Sequence, residues 1–400
     1  MTEQTGISST PRQENTVTPP AGMPPAASGP RGTGAGPRLA REWFLVVTLA
    51  TVGMFVFAGP ALFALQKHPL GLAFVLIWLF AVVMGTAMGV VRHAEALAER
   101  LGEPFGTLIL TLSITGIEVL SITAVMMHGE NNPDLVRDTL FSVVMIVLGG
   151  MIGASLLFGG LRHREQSFNL QGANAYLGVI VPLAVFTLVL PDVTFATEGP
   201  TLSTLQKVMV GLMAAALFLI FLGIQTGRHR AFFTAPEGEP EEAHEEEEAR
   251  PPLLPHLLLL LVYMVPVVYL VEQLAHPVDY VIEGLHAPQA LGGVLMAILV
   301  ATPEAIGGVK AAIANRLQRS VNIFLGSVLA TIGLTVPIML VVSGALGLDL
   351  NLGLPPTQLV LLVTMLAVSI ITFSSGRTHL LQGAVHILMF LAFVLLLFQS

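Results

Sequence analysis

The feature that most constrains this chain is a succession of apolar runs, each about 20 residues long, separated by short polar loops. A run of roughly that length crosses the hydrocarbon core of a bilayer as an α-helix. Without water, every backbone N–H and C=O has to be satisfied inside its own helix. The runs predict spans at 43–65, 71–92, 105–127, 139–161, 174–192, 204–227, 254–275, 287–313, 319–345, 356–374 and 379–399. Pro182 interrupts the fifth of these, which membrane helices tolerate where neighbours satisfy the freed carbonyl. Charged residues make up only 11% of the chain, against about 25% in soluble domains, which argues against a soluble enzyme. The expected fold class is therefore an all-α integral membrane protein of about eleven transmembrane helices.

Two segments fall outside this pattern. Residues 1–42 are rich in Pro, Gly, Ser and Thr and lack the apolar core of a secretory signal, so they are expected to form a disordered tail. Their glycine-rich run GPRGTGAGPR lacks the Lys-Ser/Thr of a phosphate loop. The second is the block from Glu237 to Glu248, whose Glu residues dominate the formal charge of -8. It reads as a solvated linker within 228–253. The absence of Cys removes disulfide and thiolate chemistry.

Basic residues orient the helices, because cytoplasmic loops are enriched in Lys and Arg. With eleven spans, all of the 18 basic residues except Lys67, Arg137 and Lys207 fall on the side of the N-terminus. The N-terminus and the acidic linker are then cytoplasmic in a multi-pass inner or plasma membrane protein, and the C-terminus is on the opposite side. One extra N-terminal helix (43–70) precedes a five-helix unit (71–227), and a second five-helix unit (254–400) follows the linker. Because five is odd, two such units run through the membrane in opposite senses, the inverted-repeat plan of many secondary transporters.

The second helix of each unit carries a Glu inside an apolar run: Glu118 in TLILTLSITGIEVLSITAVMM and Glu304 in GGVLMAILVATPEAIGGVKAAI. An ionisable group at mid-bilayer costs about 2.5 to 3.5 kcal/mol on insertion scales, so a matched pair points to transport. Each Glu follows a weak point in the helix, Thr115-Gly116 or Thr302-Pro303, where local unwinding is expected to bare carbonyls beside the carboxylate. Several oxygen ligands of this kind suit a dehydrated hard cation. The same oxygens hold protons or metal, but not readily both, and that exclusion couples an exchanger. Asn322, Ser327 and Thr331 recur at intervals of five and four on the next helix and form a second polar set. Ser113 and Thr115 flank the first Glu. His93 and Glu95, with Glu99, lie at the predicted cytoplasmic end of 71–92 and are candidates for a gate or a proton path. His379 and His386, seven apart on the last helix, read as packing or interfacial residues.

The segment ATPEAIGGVKAAIANRLQRSVNIFLGSVLATIGLTVP resembles the second conserved repeat of calcium/proton antiporters in the cation/calcium exchanger superfamily, in particular its bacterial ChaA-like group. VRHAEALAERLGEPFGTLILTLSITGIEV is similarly like the first repeat. The resemblance implies two inverted five-helix repeats, alternating access, and export of Ca2+, or of Na+ or K+, against proton uptake. On the reading of the residues above, Glu118 and Glu304 are the expected metal ligands, supported by Thr302, Asn322, Thr115, Ser113 and Ser327. Gly116-Ile117 and Gly149-Gly150 depart from the polar residues many members carry, so the ligand set is thinner. The expected partners are the lipid bilayer, inorganic cations and protons. No resident cofactor and no nucleic acid are expected, and a homo-oligomer is left open. The rival readings are a passive cation channel, which would favour a ring of charge around a continuous pore, and a membrane-embedded enzyme, for which no catalytic motif stands out.

Overall fold

The computed structural model describes residues 42–102, 105–127, 132–194, 197, 201–234 and 253–399. The expected tail, apart from Glu42, and the linker from 235 to 252 lie outside them. The described residues form α1 Trp43–Ala64, α2 Pro69–Leu101, α3 Phe105–Met126, α4 Leu135–His163, α5 Leu170–Val193 and α6 Thr204–Thr226. After the linker come α7 Leu253–Gly284, α8 Leu291–Ile313, α9 Leu317–Leu346, α10 Pro356–Thr372 and α11 Leu380–Leu397. Ten described helices are long and apolar enough to cross a membrane, counting α1 with its last turn to Lys67, and α10 is a shorter apolar helix of 17 residues.

The helices differ from expectation at three places. First, α2 continues to Leu101, so His93, Glu95 and Glu99 lie within it. Charged residues had marked its end, but its last turns are amphipathic, burying His93, Ala94 and Leu97. Second, neither Gly116 nor Pro303 breaks its helix: α3 and α8 run straight through. Proline removes one N–H, which frees the Leu299 carbonyl but does not unwind the surrounding turns when both flanks are good helix formers. Third, the irregular winding falls elsewhere, in π-wound stretches at Met145–Met151, Val185–Val189, Tyr280–Gly284 and Thr331–Thr335. In α9 a cause can be named. Pro337 cannot donate to the Gly333 carbonyl, and the widened turn lies immediately before it.

The two halves are packed into each other. α2 and α7, the first helix of each half, run alongside one another, and α8 is wedged against α4 and α9. Close approach of α11 to α4 requires Gly383, where a Cβ would meet the Leu157 nitrogen at 2.4 Å. Two short strands join the halves again: β1 Glu165–Ser167 pairs antiparallel with β2 Arg377–His379, with Gln166 opposite Thr378. His379 therefore ends a strand and caps α11, and it does not share a helix face with His386 as its spacing suggested.

Candidate functional site

α9 organises the site. Its Ser327 hydroxyl donates to Glu304 Oε2 from α8, and its Thr331 hydroxyl donates to Glu118 Oε2 from α3 at 3.3 Å. Ser327 and Thr331 are one turn apart, which separates their hydroxyls by about 6 Å along the helix axis. The two carboxylates thus lie along one face of a single helix, although 186 residues separate them in sequence. Glu118 is fully buried, and its Oε1 has no hydrogen-bond partner. Among the described residues no group of three or more His, Asp or Glu side chains is placed to hold a metal. What this face of α9 gathers is two carboxylates, each with a hydroxyl beside it.

A cavity of about 320 Å³ leads to one of the two. Glu304, Ser327 and Thr331 line it, and Glu118 does not. Its wall includes Glu95 from α2, Thr107 from α3, Gln225 from α6 and Arg319 from α9. These residues lie near the C-terminal ends of α2 and α6 and the N-terminal ends of α3 and α9, so the mouth is at the end of the bundle rich in Arg. Glu95 lies near Arg319 and Glu99 there. Asn322 is also on the wall, where its Nδ2 donates to the Phe233 carbonyl at 2.6 Å and its Oδ1 accepts from Gln318 at 2.9 Å. It fastens the stem of the linker to the mouth.

The opposite end is closed. Arg137 Nε donates to Asp138 Oδ1 at 2.9 Å, and Arg137 Nη1 lies 3.2 Å from Asp134 Oδ1. Asn351, in the loop between α9 and α10, donates to the same Asp134 oxygen at 3.0 Å. Asp138 is pressed against the first turn of α8 at Gly293.

The remaining predicted residues separate into those the site gathers and those it does not. Thr115 is buried on the cavity wall, three residues before Glu118, and Pro303 lines the wall beside Glu304. Ser113 and Thr302 point back into their own helices, donating to the carbonyls of Ile109 at 2.7 Å and Ile298 at 2.6 Å. Hydroxyls in helices commonly bond the carbonyl four residues back in this way. Gly116 lies on unbroken helix off the cavity wall. His93 is off the cavity as well. It is buried against α7, with Nδ1 3.0 Å from His256 Nδ1 and Nε2 3.5 Å from Glu42 Oε2, and Tyr263 donates to that Glu42 oxygen at 2.7 Å. Sequence reasoning missed Thr335, although it extends the four-residue spacing of Ser327 and Thr331. It also missed Tyr176, which accepts from Gln225 at 3.0 Å on the cavity wall.

A family model described as sodium/calcium exchanger protein matches residues 71–227 and 255–399. The chain belongs to that family. The two matched stretches hold Glu118 and Glu304 respectively and leave out the linker between them. The sodium-potassium/proton antiporter ChaA of Escherichia coli is 37% identical over 353 residues, which cover 88% of this chain and 94% of that one. Among solved structures, native YfkE superimposes with a TM-score of 0.68 at 19% identity, covering 89% of this chain and 100% of the other. The H+/Ca2+ exchanger CAX gives a TM-score of 0.62 at 13% identity, with 89% and 88% covered. These likenesses establish the fold: an all-helical membrane protein with two inverted five-helix repeats.

Proposed function

We propose that this chain is a secondary active transporter that exchanges a cytoplasmic cation, Na+, K+ or Ca2+, for protons from the other side by alternating access. The observation that carries this reading is the placement of two carboxylates, from α8 and α3, against consecutive turns of α9, one open to a dead-end cavity and the other sealed behind it. Positive-inside bias supports a cytoplasmic N-terminus, which makes the cavity the cytoplasmic approach and the Arg137 cluster the outer seal. The division into two repeats at 71–227 and 254–400, with a linker between, belongs to the same reading.

In the state described, a cation leaving water in the cavity meets Glu304 with the Ser327 and Thr331 hydroxyls, then Glu118 behind them. Deprotonated carboxylates hold it; protons arriving from the other side neutralise them and release it. A protonated carrier then returns without exposing charge to lipid. The closed outer end disfavours a continuous pore.

Reconstituted vesicles test the reading. A proton gradient directed outward from the lumen should drive uptake of radioactive sodium, potassium or calcium into the vesicle. Glu304→Gln and Glu118→Gln should each lower that uptake at least about 100-fold while leaving insertion intact. The name of the Escherichia coli relative makes Na+ and K+ the first ions to compare with Ca2+. Flux indifferent to the proton gradient, or normal exchange in either variant, would refute the proposal.

A further inference from the structure

The hydroxyls of α9 form a ladder at 327, 331 and 335, of which only the first two are engaged. The third, Thr335 Oγ1, is fully buried in the π-wound stretch and close enough to the Glu118 carboxyl to interact with it, yet closes no hydrogen bond of good geometry. Glu118 Oε1 is unpartnered too. Two oxygens with free lone pairs, buried at the same carboxyl, are a costly arrangement in a low-dielectric interior. A bound, dehydrated cation would satisfy both at once, since hard cations are held by carboxylate and hydroxyl oxygens. Neither Thr335 nor Glu118 lies on the cavity wall, whereas Ser327, Thr331 and Glu304 do. Thr335 is also one turn nearer the closed end of α9 than Thr331.

We propose that Thr335 is a cation ligand on the outer side of Glu118, engaged when the site opens away from the cavity. The repeat makes this subsite one-sided. The 186-residue offset that carries Glu118 onto Glu304 carries the π-wound stretch beginning at Met145 onto the one beginning at Thr331, and Thr335 then corresponds to Gly149. Glycine offers Glu304 no matching hydroxyl. The outer-facing site therefore has an oxygen ligand that the inner-facing site lacks, and the two faces differ in cation affinity.

This assignment rests on the exchange reading above, and the test separates the two. Sodium and calcium fluxes are measured with the full chain in right-side-out and everted vesicles, so that each face meets the cation in turn. In Thr335→Val the KM for cation presented at the outer face rises at least about fivefold, and the KM at the cavity face is unchanged. Thr335→Ser restores the wild-type outer value, and Thr335→Ala repeats the experiment if the valine variant fails to assemble. With wild-type exchange intact, an unchanged outer KM, or an equal rise on both faces, overturns the assignment of Thr335 alone. A wild-type chain with no proton-driven flux of Na+, K+ or Ca2+ overturns the exchange reading and this assignment with it.

Discussion

Gly293→Ala should tilt the molecule away from the state described. A Cβ at position 293 would meet the Asp138 carbonyl carbon and Cβ at 2.6 Å and the Thr139 nitrogen at 2.7 Å. Two of these are backbone atoms, so no side-chain rotation relieves the clash. The methyl acts as a wedge between α8 and α4 at the closed end. Overpacking of this kind costs about 1–3 kcal/mol. If opening that end relieves the strain, the ratio of outer-open to outer-closed molecules rises by about 5- to 150-fold. The chain has no Cys, so a single engineered thiol reports cleanly. Ser121→Cys is suitable, because the Ser121 hydroxyl is buried and unpartnered, so its replacement sacrifices no hydrogen bond. The repeat offset also carries Ser121 onto Gly307, which lines the cavity, so Ser121 should line the outer cavity when that end opens. Labelling by a membrane-impermeant maleimide from the outer face should accelerate by about 5- to 150-fold on adding Gly293→Ala. A Thr111→Cys reporter on the present cavity wall should not accelerate from the other face. Unchanged labelling of Ser121→Cys would refute the argument that the α8 to α4 contact is what holds the outer end shut.

Two further substitutions probe single contacts. Ser327→Ala removes the donor to Glu304; a hydrogen bond to a charged group contributes about 1.5–3 kcal/mol, so exchange should fall by roughly 10- to 150-fold, read as initial flux at fixed cation and pH. His386→Leu should leave flux per folded molecule unchanged but lower stability by about 1–3 kcal/mol, read as the melting midpoint in detergent. It frees the Leu148 carbonyl, now 2.6 Å from Nδ1, and the Thr372 hydroxyl, now 3.0 Å from Nε2.

Much of this architecture could be read from the chain, because hydrophobic runs report helices crossing lipid regardless of which neighbours they find. Glu118 and Glu304 stood out for the same reason: a carboxylate in such a run is costly to insert into lipid. What failed was reasoning from local propensity to backbone shape. Thr302-Pro303 looked like a break, but a buried helix keeps its turns around one missing N–H, and the irregular winding came instead at Thr331–Thr335 on the facing helix. His93 was misplaced because its partners, Glu42 and His256, come from distant parts of the chain that no spacing rule connects. The difference between an open Glu304 and a sealed Glu118 was not legible either. The two sit at matching sequence positions, and it is the conformational state of the bundle that opens one and seals the other.

Ser327 and Thr331 have a property that a fixed charge in their place would lack. A hydroxyl is a rotor: it donates to a carboxylate, and after a turn about its C–O bond it accepts from a carboxylic acid. When Glu304 or Glu118 takes up a proton, the polarity of its link to α9 can reverse without a side chain leaving its packing position. The helix interface need not register each proton as it arrives. On the exchange reading proposed above, it can stay assembled while only one of the two carboxyls is protonated.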